Sequence, residues 1–96
     1  MTTDLDIIIA GAGRVGSQTA EKLADRGHDV MVVEYDEDVV SEIADRWYAT
    51  VIQGDATNPD ILEQAGVEDA DVIAALTGET GLNLAVCMVS EEMSDG

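Results

Sequence analysis

The chain has 96 residues and is short of several residue types, and each shortage excludes a class of protein. It contains one cysteine, which leaves no internal disulfide and no cysteine-based metal site. The apolar stretch around Cys87 predicts an inert core thiol. No apolar run approaches the roughly 18 residues of a membrane-spanning helix, and the start lacks the features of a signal peptide. We therefore expect a cytoplasmic protein without direct membrane insertion.

Basic residues are also few: four Lys and Arg stand against 21 Asp and Glu, for a formal net charge of −17. This balance excludes a nucleic-acid-binding surface, which needs basic residues to neutralise phosphates. The acidic residues are spread along the chain as in a solvated shell, whereas a partner-binding patch would cluster. Because molar salt shortens the Debye length to about 3 Å, the charge favours a halophilic source over an acidic docking surface.

Short apolar runs alternate with stretches of helical spacing along the chain. Four runs predict strands covered on both faces of a parallel sheet, at 5–10, 29–34, 50–54 and 70–76. The helix after the first run is expected to stop at Gly27, and the third helix at Gly66. A polar cap at Thr57 or Asn58, followed by Pro59, predicts the start of that third helix.

The second and fourth helices are each defined by apolar positions three and four residues apart. For the second helix, the expected inner face is Val39, Val40, Ile43, Ala44 and Trp47. For the fourth helix, it is Leu82, Ala85, Val86, Val89 and Met93.

This alternation predicts an α/β fold, a Rossmann-like doubly wound parallel sheet of the (βα)4 type with strand order 3-2-1-4. The usual dinucleotide-binding fold continues to a fifth and a sixth strand, which this chain does not supply. Residues 1–96 are therefore expected to form a single, truncated domain. Its fourth strand would be an exposed edge, which favours pairing with another copy in an oligomer.

Three glycines stand between the first predicted strand and the first helix, in the pattern G-x-G-x-x-G. Gly11 permits a tight turn, Gly13 lets the backbone approach a pyrophosphate, and Gly16 lets the helix pack against the sheet. The helix N-terminus then offers free N–H groups to anionic oxygens. The string alone is weak evidence, but a strand before it and a helix after it make it strong.

Glu34 ends the second apolar run, 18 residues after Gly16. Its carboxylate is expected to accept the hydroxyls of an adenosine ribose and to repel a 2′-phosphate, which favours NAD or an adenine nucleotide over NADP. In a chain this acidic, the alternative is an ordinary solvated charge. Arg14 is the basic residue of the phosphate loop, so we expect it to bind phosphate, with a surface ion pair as the alternative.

Two further strand ends carry candidate ligand contacts. Asp55 is placed to receive an adenine amino group and the Ala56 backbone to bond a ring nitrogen, with a helix-capping turn as the alternative. Thr77 and Gly78 follow the fourth strand, where they lie within reach of the central phosphates or the second ribose.

Together these residues resemble a known family, the N-terminal lobe of RCK domains, the TrkA-type NAD-binding regulators of potassium uptake. The segments that carry the resemblance are "IIIAGAGRVG", "GHDVMVVEYDED", "VIQGDATNPDILEQAGVEDADVIAALTG" and the following "LN". The resemblance implies a nucleotide site with phosphates at Gly11, Gly13, Arg14 and Val15, the ribose at Glu34 and Tyr35, the adenine at Asp55 and Ala56, and the far side at Thr77.

The resemblance also implies a function. NAD or NADH is the expected ligand, ATP or ADP is possible, and NADP is disfavoured. The partners would be further copies of the chain, in a dimer or ring, and a membrane potassium transporter or channel that the domain gates. Because no Ser-His-Asp set, paired carboxylates or metal-ligand spacing is found, we expect a regulatory subunit and not an enzyme. The alternatives are a fragment of an NAD-dependent dehydrogenase and a subunit completed by strands of another chain.

Overall fold

The computed structural model describes residues 4–46 and 49–94, without the side chains of residues 80–82 and 94. Within these residues, four strands and four α-helices alternate. The strands are β1 (Asp6–Ala10), β2 (Asp29–Glu34), β3 (Thr50–Gln53) and β4 (Val72–Ala75). The helices are α1 (Arg14–Asp25), α2 (Glu37–Arg46), α3 (Pro59–Gln64) and α4 (Thr80–Ser94). A short 3-10 helix (Val67–Asp69), which the sequence did not predict, leads into β4.

The strands form one parallel sheet in the order β3-β2-β1-β4. In the register of the two central pairings, Ile9 of β1 lies beside Val32 of β2 and Ala74 of β4. The predicted strand order and the Rossmann-like α/β class are therefore confirmed. Among the described strands, β4 pairs with β1 alone, so it is an edge strand as expected, with Val72 41% exposed.

Both faces of the sheet are covered, because alternate residues of a strand point to opposite faces. Ile9 packs in a cluster with Ala20 of α1 and Ile43 of α2. Ile8 packs in a second cluster with Leu62 of α3. Each buried isoleucine side chain contributes about 1.5–3 kcal/mol to stability, which explains why β1 is an unbroken apolar run.

Local sequence signals set the ends of two helices. The side chain of Asn58 caps α3 by accepting a hydrogen bond from the amide of Asp60 at 2.9 Å, and Pro59 is the first helical residue. Of the two predicted caps, Asn58 is thus the one used. Gly27 and Gly66 follow α1 and α3 with φ of 91° and 86°, a left-handed conformation that favours glycine.

Helix α4 contains one wrong prediction. Val86 and Ser90 are buried against the sheet, whereas Cys87 and Met88 are exposed, so Cys87 is not a core thiol. That prediction rested on the apolar stretch around Cys87 and not on helical spacing, which placed Val86 and Val89 on the inner face and Cys87 off it. Leu84 also points outward and is 61% exposed.

The remaining expectations for the helix faces are met in part. Ile43 is buried and Val39 is half-buried in α2, and Val89 and Met93 of α4 pack against the core cluster around Ile8. The expectation for Trp47 lies outside the described residues, and so does that for the side chain of Leu82.

Candidate functional site

The carboxyl ends of parallel strands share one edge of the sheet, and a cleft of about 750 Å³ opens at this edge. Its walls come from the loops that follow all four strands. Most residues predicted to bind a nucleotide line it: Gly11, Gly13, Glu34, Tyr35, Asp55, Ala56 and Thr77. Arg14 and Val15 do not line the cleft; they begin α1 next to Gly13, with exposed side chains.

The three glycines between the end of β1 and the first turn of α1 differ in what surrounds them. Gly11 has a φ of +99°, and a Cβ there would lie 2.8 Å from the amide nitrogen of Thr77. A Cβ on Gly16 would lie 2.0 Å from the carbonyl oxygen of Gly11. A Cβ on Gly13 would meet no described atom within 4 Å, and the φ of −67° there is open to any residue. Protein packing therefore explains Gly11 and Gly16, while the space above Gly13 is free for a ligand.

The N-terminus of α1 faces this space without a capping side chain. In the described part of the chain, no side chain bonds its first amides, and no acidic residue lies in its first turn. By contrast, α2 begins with Glu37 and Asp38, and α3 carries an Asn58 cap. Because uncapped N–H groups and the helix dipole favour anions, α1 is the end of the cleft suited to phosphate oxygens.

Glu34 lines the cleft beside the β1–α1 loop, and backbone amides hold its carboxylate. Oε1 accepts a hydrogen bond from the amide of Ala12 at 2.7 Å, and Oε2 accepts one from the amide of Asp36 at 2.8 Å. An ionised carboxylate has about four acceptor sites, so two remain for hydroxyl donors. The orientation of Glu34 is thus fixed by the fold, and its free acceptor sites match the two hydroxyls of a ribose.

Asp55 holds the turn that leads into the α3 cap, the alternative that the sequence analysis left open, while the cap itself is Asn58. The Oδ1 atom of Asp55 accepts hydrogen bonds from the amide of Thr57 at 2.8 Å and from the hydroxyl of Thr57 at 2.7 Å. Both bonds lower the pKa of Asp55 below its ordinary value of 3.8, and the bond from the hydroxyl has the larger effect. Asp55 also lines the cleft, so capping and ligand contact are compatible. Tyr35, which is 77% exposed, lies on the same side.

The far wall of the cleft depends on a residue that the sequence analysis quoted but did not assign. The Oδ1 atom of Asn83, in α4, accepts a hydrogen bond from the amide of Thr77 at 3.0 Å, and the Thr77 hydroxyl donates a second. Asn83 Nδ2 donates to the carbonyl of Thr77 at 3.1 Å. The available signal was the "LN" pair that follows the A-L-T-G segment, although no spacing rule gives it this role.

Other lining residues were also missed as site residues: Ala12, Asp36, Val39, Gly54, Leu76 and Glu79. All of them lie within a few positions of a strand end, and this placement could have identified them. Four carboxylates therefore line the cleft, from Glu34, Asp36, Asp55 and Glu79. The Arg14 side chain makes no ion pair with any described residue, which leaves its charge available next to the N-terminus of α1.

No set of three His, Cys, Asp or Glu side chains in the described residues converges as a metal site would. None of the helices described is both long and apolar enough to cross a bilayer.

The fold and the cleft together define a Rossmann-type domain: a parallel sheet, a glycine turn into α1, an acidic residue at the end of β2 and a cleft at the carboxyl ends of the strands. Within that class the assignment is specific. The chain belongs to the TrkA-N domain family, whose family model matches residues 7–96. The resemblance carried by the sequence motifs is thereby confirmed.

Relatives with this domain support the assignment. The chain is 40% identical over 88 residues to the Trk system potassium uptake protein TrkA homolog of Pyrococcus abyssi, covering 92% of this chain and 39% of that protein. It is 38% identical over 86 residues to the Trk system potassium uptake protein TrkA of Vibrio alginolyticus, covering 90% of this chain and 19% of that protein. The chain thus spans well under half the length of these relatives.

Solved structures agree on the fold. The Kef CTD of Shewanella denitrificans in its AMP-bound form superimposes with a TM-score of 0.77 at 24% identity, over 91% of this chain and 52% of that one.

Proposed function

We propose that this chain is the nucleotide-binding regulatory domain of a potassium uptake system, and that it senses NAD or NADH and gates transport. The observation that carries the proposal is the cleft itself, which contains both open space above Gly13 and a carboxylate, Glu34, that backbone amides hold in place. Membership of the TrkA-N family and the names of the relatives support the regulatory role.

The residues present fit an adenine dinucleotide. The uncapped start of α1, with Gly13, Arg14 and Val15, would bind the phosphates, because it offers N–H groups and one cation. Glu34 and Tyr35 would lie at the adenosine ribose, and Asp55 and Ala56 at the adenine.

The same groups suit ATP and ADP, and the AMP in the Kef structure favours an adenosine ligand in general. NADP is disfavoured because its 2′-phosphate would meet the Glu34 carboxylate.

The domain is proposed to bind its ligand without transforming it. The groups that line the cleft are suited to hold a nucleotide, and the relatives are named as potassium uptake proteins. The names of the relatives favour a sensor over the alternative, a fragment of an NAD-dependent dehydrogenase, whose cleft would hold a nucleotide in the same way. A dehydrogenase fragment would require a substrate domain to supply the acid or base.

Its proposed partners are further copies of the chain, in a dimer or ring, and the membrane subunit of a potassium transporter. Leu84 and Met88 on α4 support association, because their side chains are 61% and 69% exposed. Two copies of this chain, whose net charge is −17, could bury this apolar surface against each other. A cytoplasmic location, at the inner face of the membrane through the transporter, follows from this partnership.

Calorimetric titration of the purified chain with NAD, NADH, ATP, ADP and NADP tests the proposal, in about 2 M KCl to screen the charge. Light scattering on the same samples reports the mass. We expect adenine-nucleotide binding, with NADP weakest, and a mass that depends on the ligand. A folded chain that binds none of these nucleotides would refute the proposed function. Oxidation or reduction of the bound nicotinamide with a hydroxy-acid substrate would favour the dehydrogenase alternative.

A further inference from the structure

One side chain holds the loop that forms the far wall of the cleft. Asn83 satisfies both the backbone N–H and the carbonyl of Thr77, at 3.0 Å and 3.1 Å, and also accepts from the Thr77 hydroxyl. The hydroxyl of Thr77 in turn accepts a bond from the amide of Glu79 at 3.2 Å. The amide, the carbonyl and the hydroxyl of Thr77 are therefore all bonded to a single side chain of α4.

The position of this loop matters for the ligand because Thr77 is packed against the phosphate loop. A Cβ on Gly11 would lie 2.8–2.9 Å from Thr77, so the two backbones are almost in contact. Leu76 continues the sheet by donating its amide to the carbonyl of Ala10 at 2.8 Å. Thr77 is thus fixed on one side by β1 and on the other by Asn83.

The two halves of an adenine dinucleotide would depend on this wall to different degrees. The groups proposed to contact adenosine, Glu34 and Asp55, lie at the ends of β2 and β3 and are held by amides of Ala12, Asp36 and Thr57. None of those bonds involves Asn83. The wall at Thr77, at the end of β4 on the other side of β1, is the part of the cleft left for the second half of the ligand.

We propose that Asn83 is a positioning residue that fixes the Thr77 wall and thereby sets the preference of the cleft for a dinucleotide over a mononucleotide. The inference rests on the proposed nucleotide-binding function. It adds a structural reason why the cleft would bind a dinucleotide more tightly than a mononucleotide. A side-chain amide suits this position because the Thr77 backbone presents one donor and one acceptor, and Asn83 offers a separate acceptor oxygen and donor nitrogen to them. A wall that is ordered before the ligand arrives spares the ligand the cost of ordering it.

The test compares NAD with AMP on the full chain and on Asn83→Ala, by calorimetry in about 2 M KCl. We expect NAD affinity to fall about tenfold in the variant and AMP affinity to change less than about twofold, because AMP does not reach the wall. Asn58→Ala is the matched control: it removes another side-chain amide that bonds the backbone, but at the cap of α3, and Asn58 does not line the cleft. It should leave the ratio of the two affinities unchanged.

Equal losses for NAD and AMP would show a merely structural role, and unchanged affinities would show no role; either result overturns the inference. A wild-type chain that binds neither ligand overturns the proposed function and this inference with it.

Hydrogen exchange on the wild-type chain needs no variant: the Thr77 amide should be protected, and its exchange should slow further with NAD but not with AMP. An unprotected Thr77 amide, or equal slowing by both ligands, would contradict the proposal.

Discussion

The two sides of the cleft differ in what they offer a ligand. On the proposed phosphate side, the β1–α1 loop and the first turn of α1 contribute backbone shape: open space at Gly13 and a close approach at Gly16. On the proposed adenosine side, Glu34 and Asp55 contribute carboxylates that backbone amides already hold. Substitutions that add atoms on the phosphate side should therefore lower stability or nucleotide affinity. On the adenosine side, substitutions that remove a charge or an acceptor should lower nucleotide affinity.

The largest effect is expected from Gly16→Ala. The new Cβ would lie 2.0 Å from the carbonyl oxygen of Gly11, so α1 must move away from the sheet. Because the obstacle is backbone and not a flexible side chain, we expect a loss of about 3 kcal/mol in the free energy of unfolding. Urea denaturation followed by circular dichroism measures it. A loss below about 1 kcal/mol would show that the close approach is easily relieved.

Gly13→Ala adds the same methyl group three residues earlier. It should change the free energy of unfolding little and the affinity for NAD strongly. Nothing described lies within 4 Å of the new Cβ, so the unfolding free energy should fall by less than about 1 kcal/mol, the cost of a poorer N-cap. The affinity for NAD should fall by about tenfold or more, because the methyl group takes the space of the phosphate. Adenosine, which has no phosphate, serves as the control ligand and should bind unchanged. Equal losses for both ligands would contradict a phosphate site at Gly13.

Glu34→Ala tests the adenosine side. Removing the carboxylate should weaken adenine-nucleotide binding by about tenfold, which corresponds to about 1.4 kcal/mol for a charge-assisted hydrogen bond. Glu34→Gln keeps an acceptor for the Ala12 amide but loses the negative charge. It should therefore reduce the ratio of the NAD affinity to the NADP affinity. Calorimetry with both cofactors measures the ratio. An unchanged affinity in Glu34→Ala would show that Glu34 does not contact the ribose.

The sequence was sufficient for the features that depend on local pattern. The apolar run of β2 gave its bounds, 29–34, without error, and the G-x-G-x-x-G spacing located Gly11 and Gly16 because each has a steric requirement. The sequence was insufficient where a role depends on which groups the fold brings together. Asn83 lies six residues from Thr77, across a turn, and no period links the two. Cys87 was predicted to be buried from the apolar stretch around it, but it lies off the inner face that the helical spacing of α4 predicted.

A smaller effect is expected from salt. Four carboxylates line the cleft and would repel anionic ligands, and raising KCl from about 0.15 M to about 2 M shortens the Debye length from about 8 Å to below about 3 Å. Affinity should therefore rise with salt, by about threefold for ATP, less for NADH and not at all for adenosine. Asp36→Asn and Glu79→Gln together should flatten this dependence. The matched control is Asp29→Asn with Asp69→Asn, an equal charge change at residues that do not line the cleft.

The smallest effect concerns the Asp55 turn. Thr57→Val removes the hydroxyl donor but keeps the amide, so the pKa of Asp55 should rise toward 3.8 while remaining below it. A lowered folded-state pKa stabilises the fold above the unfolded value of 3.8, and this contribution disappears as the pH falls through the lowered pKa. The part of the stability difference between wild type and Thr57→Val that comes from the Asp55 carboxylate should therefore vanish in acid.

Carboxyl-carbon NMR titration of Asp55 measures the shift, and Thr19→Val is the control because the Thr19 hydroxyl bonds a backbone carbonyl in α1. The same pKa in wild type and Thr57→Val would show that the hydroxyl does not hold the carboxylate. The lowered pKa keeps Asp55 ionised at every pH near neutrality, so an adenine amino group would always meet an acceptor there. A pH-dependent nucleotide affinity near neutrality would thus have to originate elsewhere than in the Asp55 turn.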